Sequence, residues 1–386
     1  MFTHLKSQAL RCADSLGIPG AIHRRGGAAK ISDIMTETGL PQSKLPHLRR
    51  LMRVLAVSGV VADRSSNHQP PPSSATTTSE TIVYTLTPVS SLLVGSPCDM
   101  SAMLRASMRP NTTAMFGHLE EWFRDDTGAE SLVQMVHRAS PWTMTKNDPA
   151  LNAALNDACV AETKLVMEVV LREAGDVFRG IGSLVDVGGG HGAAAIAISR
   201  AFPQLKCTVL DLPHVISQAP EHSTVQFVAG DMFHFIPPAD AIFLKVLSSA
   251  SLDFFLKKKT RDTPLDVDGQ HKYCDIYMAL KQLICLQGVI DSCSDEDCVN
   301  LLRQCKKAVL RDGARGKIII IGTVVGYGPQ DDVVREAQVL FDLYMMCGNG
   351  AEREEHEWKT IILEAGFSEF KVVATFGLVS VIEVLP

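Results

Sequence analysis

A chain of 386 residues is long enough for two or three domains, and with 46% hydrophobic residues it can bury a large core. It has no run of 18 uninterrupted apolar residues and no signal-peptide pattern at its start, which points away from membranes and secretion and toward a cytoplasmic location. A formal net charge of −6 offers no field to attract polyanions, so nucleic acid is not an expected partner. The ten cysteines are scattered and read as reduced thiols; Cys293-x4-Cys298 has no second pair or histidine beside it, and no metal is expected.

Leu5, Leu10 and Ala13 fall at helical spacing and predict a helix over 1–18 that stops at Gly17-Ile18-Pro19. From Ile31 the pattern runs helix (31–38), turn (39–41), helix (44–58), then strands at 60–62 and 82–86 on either side of a Ser/Thr/Pro-rich tip, 65–80. This is a winged helix-turn-helix outline. Its second helix carries Lys44, His47, Arg49, Arg50 and Arg53, so DNA binding must be weighed, while Leu48, Leu51, Met52 and Leu55 give it an apolar core face. The apolar faces around Leu5, Leu10 and Leu51 exceed what one small module needs, which predicts a dimer. Residues 90–155 read as helical and connecting; Trp122, Phe123 and Trp142 are aromatics of a kind more often found in a core than in a pocket. A helix over 162–173 leads into the central strand.

The apolar run Leu184-Val185-Asp186-Val187 breaks into Gly188-Gly189-Gly190-His191-Gly192, which reads as a buried strand turning sharply into a helix over 193–201. Bare backbone at a helix start is where a nucleotide-type cofactor sits. Gly188-x-Gly190-x-x-Ala193 also satisfies the dinucleotide fingerprint, so the turn alone does not choose the cofactor. The next strand, 206–210, ends at Asp211, roughly 20 residues past the glycines, where an acid takes ribose hydroxyls. Strand 225–228 leads to Gly230-Asp231-Met232-Phe233, an acid and an apolar side chain suited to an adenine amine and face, and 241–244 ends at Lys245. These ends converge on the carboxyl edge of a doubly wound α/β sheet. Helices over 302–309 and 340–347 and strands over 317–321, 370–373 and 380–384 complete the pattern with an antiparallel pair.

LVDVGGGHG, DLPHVI, GDMF and AIFLK, in this order and at these spacings, resemble the plant S-adenosylmethionine-dependent O-methyltransferases, especially the caffeate and flavonoid type of grasses. The resemblance implies a Rossmann-like seven-stranded methyltransferase sheet over 96–386 and an N-terminal winged-helix dimerisation domain over 1–95. It implies S-adenosylmethionine as cofactor, held by Gly188, Asp211, Asp231, Met232 and Lys245. Met345 and Asn349 match acceptor-pocket positions, and the segment 90–155 lines that pocket for a small phenolic acceptor. Homodimers, or heterodimers with relatives, follow from the first domain. Relatives carry a further helical segment before Met1 and a methionine near Cys159, so an N-terminally shortened first domain and an altered pocket shape are expected.

Two departures concern the chemistry. Relatives run directly from the lysine to His-Asp-Trp-(Ser/Gly)-Asp, whereas here a block of about forty residues, near 246–290, intervenes, an uncommon length for a connection without clear structure. Register resumes at Ser294-Asp295-Glu296, which puts Asp291 at the catalytic histidine, Ser292 at its aspartate and Cys293 at its tryptophan. Gly322 stands where an acid steadies the histidine, and Glu352 is the surviving third member; His356 is expected to face solvent. The expectation is an O-methyltransferase acting on a small phenol and impaired by loss of its base. A catalytically silent S-adenosylmethionine-binding dimer partner and a winged-helix DNA regulator are the alternatives, separable by donor turnover and by affinity for duplex DNA. An oxidoreductase fits Asp231-Met232 less well.

Overall fold

The computed structural model describes residues 3–63, 82–95, 99–126, 128–245, 290–311, 314–328 and 332–386. The tip 65–80 and nearly all of the block 246–290 lie outside the described residues. Those described form two compact units, one ending at Arg105 and one beginning at Ala106.

In the first unit the expected opening helix is two. The helix Thr3–Ser15 ends before Gly17, which adopts φ 70°, and a second helix, Ile18–Arg24, begins there with Pro19 in its first turn. Proline has no amide to lose at a helix start, so Pro19 opens a helix where the sequence reading had it close one. The helices Ile31–Thr38 and Leu45–Val57 follow as expected, the latter burying Leu48, Met52 and Leu55. Strand β1 (Ala28–Lys30), missed in the sequence for its brevity, joins β2 (Val61–Asp63) and β3 (Val83–Leu86) in an antiparallel sheet of order β1-β3-β2. Leu10 is buried, at 1% exposure, and offers no surface for a dimer face; among the described residues of this unit Leu5, Val54 and Val57 are the exposed large apolar side chains.

The second unit is built on β4 (Ser183–Val187), β5 (Lys206–Asp211), β6 (Val225–Ala229), β7 (Ala241–Lys245), the short hairpin β8 (Leu310–Arg311) and β9 (Ala314–Arg315), β10 (Lys317–Gly322), β11 (Val324–Val325), β12 (Arg353–Glu354), β13 (Glu369–Phe376) and β14 (Val379–Leu385). Seven of them form a sheet of order β13-β14-β10-β7-β4-β5-β6; β10, β7, β4, β5 and β6 run parallel, and β14 runs antiparallel between β10 and the edge strand β13. The central strands β4, β7 and β10 are buried nearly throughout, as burial on both faces requires; Ile318–Ile321 is fully buried. Strand order reverses between β4 and β7, and a crevice opens there at the carboxyl ends.

The helix expected over 162–173 is the last part of a 26-residue helix, Pro149–Ala174. Its start is set by Asp148, whose Oδ1 accepts from the amides of Ala150 and Leu151 at 3.0 Å, with Pro149 at the first helical position. Among the described residues no helix is long and apolar enough to cross a membrane.

Candidate functional site

The glycine turn follows β4. Gly192, at φ 78°, caps the helix Ala193–Ala201, and a side chain there would meet the ring of Phe227 at 2.9 Å. A Cβ on Gly189 would lie 2.6 Å from the carboxyl carbon of Asp186, so this position admits no larger residue without displacing that acid. Asp211 fastens the turn to the end of β5: its Oδ2 accepts from the Gly190 amide and its Oδ1 from the Leu212 amide, both at 2.7 Å. Burial raises its pKa, and those two amides oppose the rise. A carboxylate has about four acceptor sites, so capacity for ligand hydroxyls remains.

Gly188, Asp211, Asp231 and Met232, which the sequence put at separate strand ends, line one cavity of about 220 Å³ with His214, Trp142 and Thr145. Asp231 is held outward by accepting from the Phe233 amide at 2.9 Å and lies 3.1 Å from His234. Lys245 is placed differently. Its Nζ donates to Glu162 Oε2 at 2.6 Å, and it lines a smaller adjoining cavity with Asp186, Cys159 and the glycine turn. The sequence reading missed Glu162, because a glutamate on a helix most often faces water; here it is buried.

Polar atoms around the turn fit a nucleoside-amino acid cofactor. Asn156 Oδ1, Asp186 Oδ2 and His214 Nε2 are buried with no hydrogen-bond partner among the described residues. Gly190 sits against that Asn156 oxygen, where an added Cβ would come within 3.1 Å. Cys159 thus borders the turn rather than the larger apolar cavity. Asp186 is pushed up to about 7 by burial, with the Lys245 ammonium pulling the other way.

An apolar cavity of about 260 Å³ is formed by residues 106–155 and Tyr344, and it shares Trp142 and Thr145 with the cavity at the strand ends. Trp142, placed with the core aromatics by the sequence reading, is 38% exposed and is a wall of both; Phe123 is also exposed, and only Trp122 packs into a cluster, with Met115, Leu132, Val133 and Cys347. Met345 is buried and lines a small pocket with Trp142, Ser292 and Gly348. Asn349 is exposed at φ 70° in the turn after the helix Asp332–Met346 and lines none of these four cavities.

Asp291 and Glu352 are brought together. The Ala351 amide donates to the Asp291 carbonyl at 2.9 Å, and Gly350 packs so closely on that carbonyl that no Cβ would fit. Arg353 clamps the segment: it donates to the carbonyls of Ile290 and Cys293 at 3.2 and 2.9 Å and to Asp295 Oδ1 at 2.8 Å. Asp291 is pushed up to about 7 by burial, against the pull of Lys245 and Arg353; Glu352 is raised by burial and by the Asp291 charge. Asp291 is 1% exposed and lines none of the four cavities. Gly322 is the last residue of β10 and supplies no acid beside the pair. His356 is exposed and pairs with Glu354 at 3.2 Å. Cys298 donates its thiol to the Ile290 carbonyl at 3.1 Å.

Comparison with known proteins bears on this arrangement. A family model described as an O-methyltransferase domain matches residues 116–253 and 268–368, and one described as an O-methyltransferase dimerisation domain matches residues 1–96. The chain is 42% identical to acetylserotonin O-methyltransferase 3 of Oryza sativa subsp. japonica, covering 100% of this chain and 92% of the relative. It is 32% identical to the trans-resveratrol di-O-methyltransferase of Vitis vinifera, covering 100% and 94%. Among solved structures, human N-acetylserotonin methyltransferase in complex with S-adenosylmethionine has the same fold, with a TM-score of 0.70 and 18% identity over 98% of this chain and 93% of that one.

Proposed function

This chain belongs to the O-methyltransferase family, and on that premise we propose that it transfers a methyl group from S-adenosylmethionine to a hydroxyl of a small phenolic acceptor. The observation that carries the reading is the pair of cavities sharing Trp142 and Thr145, one lined by Gly188, Asp211, Asp231 and Met232, the other mostly apolar. When bound, the donor supplies a sulfonium-activated methyl group, which asks for an in-line nucleophile and no metal. Asp211 would take the ribose hydroxyls, Asp231 and Met232 the adenine, and the glycine turn the amino-acid end. Trp142 and Thr145 would set the acceptor beside the donor, where proximity contributes to the rate. Met345 would border the acceptor from below Trp142; the exposed Asn349 has the better claim to a helix-ending role. The names of the relatives support an aromatic hydroxyl as the acceptor.

Titrating the chain with S-adenosylmethionine or S-adenosylhomocysteine in a calorimeter should give saturable heat at micromolar protein, and Asp211→Ala should weaken it at least tenfold by releasing the glycine turn and the ribose contact. Binding of NADH in place of both would overturn the assignment.

The division into a dimerisation domain over 1–95 and a methyltransferase domain over 96–386 is part of this reading. So is the winged-helix role of the helices Ile31–Thr38 and Leu45–Val57 with their three-stranded sheet as a dimer scaffold. Exposed Leu5, Val54 and Val57 are apolar surface for such contact. Sedimentation at tens of micromolar should therefore show a dimer, and Val57→Glu should shift it toward monomer; a clean monomer for the unaltered chain would count against the scaffold. The seclusion of Asp291 favours one second reading, a donor-binding subunit that does not turn over.

A further inference from the structure

One turn of the helix Pro149–Ala174 walls the smaller cavity: Cys159, Val160 and Thr163 line it with the glycine turn, Lys245 and Asp186. Glu162, on the same turn, does not line the cavity. It is 1% exposed and accepts from Lys245 Nζ at 2.6 Å, and the lysine side chain is itself only 11% exposed. The other ionisable side chains on that wall offset the lysine only in part. Asp186 is pushed up to about 7, mainly by burial, and supplies a fraction of a charge at neutral pH. Burial holds His191 below its ordinary value, so it is neutral there. The helix Ala193–Ala201 starts at the same wall, and its first amides add positive potential.

We propose that Glu162 sets which state of the cofactor this cavity prefers: by pairing with Lys245 it cancels an ammonium that would otherwise repel the donor's sulfonium, so the charged donor is not disfavoured against its neutral demethylated product. S-adenosylmethionine and S-adenosylhomocysteine differ at sulfur by one methyl group and one positive charge. A lysine left unpaired in a water-poor site acts on that charge over several ångström, because little solvent screens it. Glu162 is thus a charge-balancing residue that acts through Lys245 rather than by touching the cofactor. The inference rests on the reading of these strand-end cavities as the donor site.

The test compares dissociation constants, so it does not depend on turnover. The full chain is titrated in a calorimeter at pH 7.5 with S-adenosylmethionine and, separately, with S-adenosylhomocysteine. In the unaltered chain the donor should bind no more than about tenfold more weakly than the product. Glu162→Gln, which keeps the shape and removes the charge, should weaken the donor about tenfold more than it weakens the product. Loss of a merely structural contact would weaken both ligands alike. Glu162→Gln combined with Lys245→Met removes both charges and should return the ratio of the two constants to within about threefold of the unaltered chain. Equal loss of both ligands in a folded Glu162→Gln overturns the proposal, as does a double variant that leaves the ratio shifted. So does a donor more than about tenfold weaker than the product in the unaltered chain, whether or not the variants fold. No heat from either ligand would overturn the donor reading itself and this proposal with it.

Discussion

Under the proposed function, and with Asp291 aligned on the catalytic histidine of the resembled family, the unaltered chain at pH 7 should methylate phenols about 10² to 10⁴-fold more slowly than members that carry the histidine, the factor general-base catalysis is worth. A phenol with a pKa near 10 is ionised in only about one molecule per thousand at pH 7, so the proton must be taken by a positioned group. In the proposed alignment that group is Asp291. An ordinary aspartate near 3.9 is a poor match, but burial lifts Asp291 to about 7, close to what a base needs. Access is the obstacle. The side chain is 1% exposed and faces none of the cavities that could hold an acceptor, and proton transfer requires hydrogen-bond reach before it requires a matched pKa. Rates measured with labelled donor should rise toward those of relatives as the pH approaches the phenol pKa, where the acceptor ionises unaided. Asp291→His alone should recover little, since Gly322 offers the ring no orienting acid; removing the block near 246–290, restoring the full His-Asp-Trp motif and adding Gly322→Asp should recover much more. Turnover near one per second at pH 7 by the unaltered chain would show that Asp291 or another group reaches the acceptor.

Stability should fall as pH rises from about 4 to 7, by about 1.4 kcal/mol per pH unit for each carboxyl that stays protonated in the fold. Asp186 and Asp291 are both pushed up to about 7, mainly by burial, whereas in the unfolded chain they ionise near the ordinary value of 3.8. Between those limits the folded state binds more protons than the unfolded one, so ν_U − ν_N is negative and stability decreases with pH. Over the whole window each carboxyl contributes a loss of about 4 kcal/mol as an upper figure. Lys245 lowers the pKa of both and limits the effect. Urea unfolding at pH 5.0, 6.0 and 7.5 should show the midpoint falling with pH. Asp186→Asn, which keeps the shape and removes the titration, should flatten the profile; a midpoint rising steadily over this range would mean that the two groups are ionised within the fold.

The amino-acid sequence by itself determined the sheet and its ligand-binding edge. The apolar runs ending at Val187, Asp211, Ala229 and Lys245 are strands because a parallel sheet buries both faces, and the glycine cluster turns where a side chain on Gly189 or Gly192 would strike Asp186 or Phe227. Gly188, Asp211, Asp231 and Met232 were legible as cofactor candidates because each lies at a strand end or just past one, and strand ends of such a sheet share one crevice. Local signals also misled. Pro19 can stop a helix or start one, and Asp148-Pro149 marked a helix start that a weak amphipathic pattern concealed, since this helix buries several of its faces. Only the tertiary structure decided the partnerships between distant residues: Glu162 with Lys245, Asp291 with Glu352 under the clamp of Arg353, and Trp142 between two cavities. Those depend on packing across the chain, and burial there sets whether a carboxyl is charged and whether a cation finds a partner. Composition and spacing carry neither quantity, because the desolvation that fixes them comes from neighbours far away in sequence.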